Sequence, residues 1–285
     1  MFSGPNPPDA AVITYYQKKR HIFGKMKIEI LDAQGKLVDT LPPNNRRGIS
    51  RVDWPMRLKA PRVPPAATAA FEASQGPRVL PGTYTVKMTR GKDTFSTQLN
   101  VVLDPRAKFS AEDRRQEFEA AMRVYNLLGD MSFDVDRINS VHDALLARAA
   151  ALKGDPVLAK HLNDTAQNVE ELRRKIVATK EGGAVTGEER IREKTTGLYG
   201  AILNYEGRPG DYQIARIDSL KKELDDVRTE FDSLLAKDLP AINKSLKQKK
   251  VHLIEPISRK AWDAANSDSD AGAVATPSAS RWERD

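Results

Sequence analysis

Three aspartates near predicted strand ends, Asp32, Asp53 and Asp104, have the side-chain type that could do acid–base chemistry. Glycoside hydrolysis needs two carboxylates facing one another across a cleft. The same residues suit a plainer role, because an Asp beside a turn accepts backbone N–H bonds and caps it. Glu170-Glu171 and Asp225-Asp226 are adjacent pairs, but neighbours on a helix diverge by about 100° and do not converge. His21, His142, His161 and His252 are far apart and none stands in a metal-ligand pair. With no cysteine in the chain, thiol nucleophiles and thiolate sites are excluded. Neither a phosphate-binding Gly-rich loop nor a nucleophile elbow occurs, since Gly182-Gly183 and Gly207-Arg208-Pro209-Gly210 lack the flanking strand and helix. No metal and no cofactor is expected.

Two further constellations could bind rather than react. Lys18-Lys19-Arg20-His21, beside Tyr15 and Tyr16, is a basic and aromatic cluster able to contact an acidic glycan or nucleic acid. Its alternative reading is a charged strand end that protects an exposed edge. Trp54, if exposed, could stack on a sugar ring; on an alternating strand with Val52 it reads as core.

The elements that must position these groups are strands in the first third of the chain. Short β-branched and aromatic runs alternate with Gly, Pro and Asn clusters: 11–16, 26–31, 36–41, 48–54, 82–89 and 95–103. Gly35 suits a positive φ between the second and third runs. Residues 55–81, rich in Pro and Ala, are too long for a hairpin connection and read as a surface excursion, the part of the region expected to be most mobile. Several short strands with no helical pattern between them favour a β-sandwich.

After Asp104-Pro105-Arg106 the period changes to that of helices, with Ser110 as N-cap. One stripe runs from Phe118 to Leu152, with an interruption expected near Gly129. A second runs from Leu158 to Ile176 and closes near Gly182-Gly183. A weaker third covers 188–205, and a fourth, capped by Asp211, runs to about 248 with a bend or break expected at Pro240. Single apolar stripes on such long helices predict a bundle. From Asp263 the composition predicts a disordered tail, which leaves Trp262 and Trp282 at or beyond the end of the ordered chain.

The 285 residues accommodate two domains, and no apolar run is long enough to span a bilayer, so no membrane partner is expected. The first residues do not form a signal peptide, which places any export signal outside this chain. The net charge of +7 is uneven: residues 1–109 hold 18 Lys and Arg against 8 Asp and Glu, and 110–285 hold 28 against 31. This asymmetry suits either a polyanion partner or a basic module resting near an acidic one.

Residues 4–106 resemble the segment that follows the β-propeller in bacterial BNR-repeat, sortilin-type, glycosyl hydrolase-like proteins. The resemblance rests on Gly4-Pro5-Asn6-Pro7-Pro8 leading to residues 11–16, on Ile28 to Gly35, on Gly48 to Trp54, on Gly76 to Val86, and on Asp104-Pro105-Arg106. Within it, Ile28 to Val86 is similar to the Ig-like domain of the flagellar hook-cap scaffold. The chain departs from the family's pattern at Pro55, where an Asp usually follows the tryptophan.

The combined expectation is an α+β multidomain chain: an Ig-like antiparallel β-sandwich over 1–106, an all-α bundle over 110–260 and a tail over 263–285. The resemblance implies a secreted or periplasmic parent in which this region is a non-catalytic accessory, docking on the preceding propeller or another protein, acting as a spacer, or forming a homo-oligomer through its helices. A glycan is a possible ligand and nucleic acid is not expected. The alternatives are a glycoside hydrolase using Asp32, Asp53 and Asp104, and a polyanion-binding module.

Overall fold

A computed structural model describes residues 9–152, 154–180 and 188–267. Among these residues six strands form two antiparallel sheets, and five α-helices follow. The strands are β1 (Ala11–Gln17), β2 (Met26–Leu31), β3 (Leu37–Leu41), β4 (Gly48–Trp54), β5 (Gly82–Arg90) and β6 (Asp93–Val101). β1 pairs with β4 alone, and the other sheet has the order β3-β2-β5-β6. Alternation decides what is buried: Ile28, Ile30, Trp54, Tyr84 and Val86 face inward, and Trp54 meets Tyr84 edge-on at 5.3 Å. β4 stops at Trp54 because Pro55 has no N–H to continue the ladder. Gly35 holds φ 76° in the β2–β3 turn.

The helices are α1 (Ala111–Ala151), α2 (Pro156–Ile176), α3 (Ile191–Leu203), α4 (Asp211–Gln248) and α5 (Arg259–Ser267). Ser110 and Asp113 form a reciprocal cap on α1, with Asp113 N–H donating to Ser110 Oγ (3.1 Å) and Ser110 N–H to Asp113 Oδ2 (2.9 Å). The expected break at Gly129 is absent: α1 is continuous for 41 residues, about 60 Å at about 1.5 Å per residue. α4 likewise runs unbroken through Pro240. Its cap is Gly210, whose N–H donates to Gln213 Oε1 (2.9 Å), and Asp211 is already its first residue. The expected end of α2 near Gly182-Gly183 lies outside the described residues; the helix ends at Ile176.

The helices share an apolar interior made of Met131, Val135 and Leu145 of α1, Leu162 and Val169 of α2, and Leu220, Phe231 and Ile242 of α4. A smaller cluster joins Ala121, Val124 and Leu128 to Tyr199, Ile202 and Ile217. Both are separate from the core of the sheets.

Two expectations about the chain's irregular parts are corrected. Trp262 does not trail off: it sits on α5, is buried, stacks edge-on against Phe133 at 5.7 Å, and donates from Nε1 to Asp136 (2.7 Å). Residues 263–267, expected as the start of the tail, are helical, and the rest of the expected tail lies outside the described residues. The excursion 55–81 is not a free surface loop. Pro61, Pro64, Ala73, Gly76 and Pro77 along it are buried, and Ala73 belongs to a helical core. At Gly76 a Cβ would collide with the Leu58 and Lys59 carbonyls, so only glycine lets the segment double back there.

Candidate functional site

Two of the three candidate carboxylates, Asp32 and Asp104, are occupied locally, and the third is exposed on a sheet face. Asp32 Oδ1 accepts the Gln34 N–H (3.0 Å) and the Lys36 N–H (2.8 Å), which is the turn-capping role. Asp53 is exposed and stands opposite Val12 on the outer face of the β1–β4 sheet. Asp104, also exposed, accepts from Arg106 Nη2 (2.7 Å) and the Arg106 N–H (2.8 Å), which holds its carboxyl down at about 2. A carboxyl that ionised resists acting as a general acid near neutral pH.

Of the candidate binding residues, Trp54 is fully buried, with Nε1 donating to the Arg57 carbonyl (3.3 Å), and has no face to offer a sugar. Tyr15 is half-buried and its hydroxyl is bonded to the Asn44 backbone, donating to the carbonyl (2.8 Å) and accepting from the N–H (2.6 Å). Tyr16, Lys18, Lys19 and Arg20 are exposed. The structure therefore keeps the basic residues and Tyr16 available and removes Tyr15 and Trp54 into packing.

Buried and partly buried ionisable side chains gather where the sheets meet the helices. Arg114 and Glu117 of α1, 5% and 3% exposed, pair at 2.9 Å. Arg114 Nη2 reaches across to the Arg78 carbonyl (2.6 Å) at the return of the connecting segment. Arg78 itself is paired with Asp9, and Arg57 donates to the Gly76 carbonyl (3.1 Å). Burial raises the Glu117 carboxyl above its ordinary value, opposed by Arg114. Burial also lowers Arg57, with Arg78 adding to the effect. Tyr199 is raised by burial too; its hydroxyl donates to the Gln75 carbonyl (3.0 Å).

Compared with known proteins, the chain matches no family model, no curated protein and no solved structure. Among the described residues no group of three or more His, Asp or Glu is placed to hold a metal ion. A shallow hollow of about 190 Å³ lies between α1 and the start of α4, lined by Glu119, Arg123, Arg208 and Asp211 among others, and by none of Asp32, Asp53 and Asp104. It is smaller than the roughly 300–1,000 Å³ of ordinary ligand pockets.

A second polar set fastens the middle of the connecting segment. Arg192 of α3, buried, donates from Nε to the Pro64 carbonyl (2.8 Å) and from Nη1 to Thr68 Oγ1 (3.0 Å), and pairs with Glu193 (2.8 Å). Ala67 N–H donates to the Ala178 carbonyl (3.1 Å) just beyond α2. A segment without strand or helix ladders must satisfy its buried backbone somewhere, and here arginines of the helices do it. Sequence reasoning passed over Arg114, Glu117 and Arg192. The signal was available: stepping the α1 stripe back from Leu128 through Val124 and Ala121 lands on Glu117 and Arg114, charges in phase with the buried face.

Proposed function

We propose that the chain is a non-catalytic interaction and spacing module, an Ig-like β-sandwich mounted on a helical bundle, serving within a larger secreted BNR-repeat protein. The observation that carries this reading is the use of the buried charges. Arg114 and Arg192 join their helices to the connecting segment through backbone carbonyls, Glu117 is the counter-ion of Arg114 on the same helix, and Asp134 of α1 joins Arg228 of α4 (2.8 Å). Groups committed in this way fix the pose of a scaffold; a catalytic constellation needs titratable groups turned toward a shared vacant position.

A docking face is consistent with the same reading. On the outer side of the β1–β4 sheet, Tyr16 and Ile49 stand directly opposite each other and both are exposed, with Val12 four residues away along β1 on the same face. Apolar pairs on a solvent-facing sheet mark places where another domain can seat. The long helices supply reach, since α1 alone runs for 41 residues.

The test is an assay of the full chain on a panel of glycosides and polysaccharides. No turnover is expected. Turnover that Asp32→Asn, Asp53→Asn and Asp104→Asn together abolish would replace this reading with that of a glycoside hydrolase.

A further inference from the structure

The end of the sheets farthest from the helices gathers three loops. Strand register places them together: Gln17 pairs with Gly48, Met26 with Arg90, and Arg90 with Asp93, whereas Ala11, Trp54, Gly82 and Val101 lie at the opposite end. Hydrogen bonds tie the loops to one another. His21 N–H donates to the Asn45 carbonyl (3.0 Å), Gly91 N–H to the Lys25 carbonyl (2.8 Å), and buried Gln17 holds the Asn44 and Arg46 carbonyls (2.7 and 3.0 Å).

At the apex of the first loop Ile22 and Phe23 are 70% and 86% exposed, in a short turn closed between His21 Nε2 and the Gly24 carbonyl (3.1 Å). Around them stand Lys18, Lys19, Arg20 and Lys25, with Arg46, Arg47 and Lys92 on the neighbouring loops, all exposed and none in an ion pair among the described residues. The single carboxylate of the group, Asp93, is paired with Arg90.

A folded chain has no use for two large apolar side chains held out in water, and their combination with unpaired cations restricts what can cover them. We infer that this tip binds the surface of an anionic phospholipid bilayer, with Ile22 and Phe23 entering the headgroup region and the cations meeting lipid phosphates. The exposed apolar pair and four of the cations share one loop, residues 18–25. That combination suits an interface whose depth is apolar and whose rim is anionic. A nucleic acid strand is instead tracked by a groove with charges along it. The expectation of no membrane partner followed from the lack of a spanning segment. No described helix is long and apolar enough to cross a membrane, but a loop tip needs none. The inference is independent of whether the chain is an accessory module.

The experiment is co-sedimentation of the full chain with phosphatidylcholine vesicles, with and without about a third phosphatidylglycerol. Binding is expected only to the anionic vesicles and should weaken as salt is raised. Ile22→Ser with Phe23→Ser should reduce it about tenfold or more without changing the melting temperature, since both side chains are exposed. Phe23→Trp should retain binding and shift its emission to the blue on anionic vesicles. Equal binding to both vesicle types, or double-variant binding equal to the parent's, would overturn the inference. So would retention by heparin or duplex DNA that exceeds vesicle binding and ignores Ile22 and Phe23; that result would assign the tip to soluble polyanions.

Discussion

The two ends of the sheets are both rich in arginine and use it in opposite ways. At the end facing the helices, Arg57, Arg78 and Arg114 are wholly or partly buried and bonded to carbonyls or carboxylates. At the far end, Arg20, Arg46 and Arg47 are exposed on loops that carry an apolar apex. Position relative to the fold, and not residue type, decides whether a cation is structure or surface. The charge excess of the first third of the chain therefore divides into a part consumed in joining the molecule and a part left for a partner.

The comparison breaks most visibly at the joint. Arg114→Ala would leave Glu117 buried without its cation and should destabilise the protein by about 3–5 kcal/mol, read from urea unfolding. A loss below about 1 kcal/mol would mean that the joint is not held by charge. Gly200→Ala should destabilise by about 1–3 kcal/mol, because its new Cβ would lie 2.8 Å from Glu72 Cβ on the connecting segment. The same variant should loosen that segment and leave the far loops unchanged.

Acid sharpens the contrast further. Glu188 accepts the Thr179 and Lys180 N–H groups (2.9 and 2.8 Å) and pairs with Arg190, which lowers its carboxyl to about 2. A depressed folded value means that its contribution is fully present above the ordinary carboxylate range and is lost as pH falls from about 4.5 toward about 2. Glu117 and Asp134, raised by burial, act in the other sense: their ionisation costs stability as pH rises from the ordinary range through their raised values. Glu188→Gln should flatten the acid limb of a stability-against-pH curve, and Glu117→Gln should flatten the fall on its alkaline side. The smallest effect belongs to the tip, where Lys18→Ala with Lys19→Ala should change stability by no more than about 0.5 kcal/mol.

Strands and helices were legible because burial imposes a period. Met26, Ile28 and Ile30 alternate, and the α4 stripe from Ile217 to Leu246 recurs every three or four residues. Neither Gly129 nor Pro240 breaks its helix, because packing along one face of a long helix outweighs the propensity of a single residue. Trp262 was unreadable since its partners Phe133 and Asp136 lie far back in the chain. The connecting segment was unreadable for the same reason. It has almost no regular structure, and the groups that hold it, Arg192 and Tyr199, are more than 120 residues away. Of the candidate site, the strand that carries Tyr15 and Tyr16 was legible from its β-branched and aromatic run, but which of the two stays exposed was not. The meeting of three loops at one tip depended on strand register, which no local pattern encodes.

The division between joint and tip is tested most directly by limited trypsin digestion of the native protein, with the cut sites identified by mass spectrometry. Within the sheets and the connecting segment, the first cuts are expected after Lys18, Lys19 or Arg20, while Lys59 and Arg62 stay intact until the protein unfolds globally. Cleavage after Lys59 or Arg62 as early as in the first loop would show that the segment is not held by the helices, and would contradict the account.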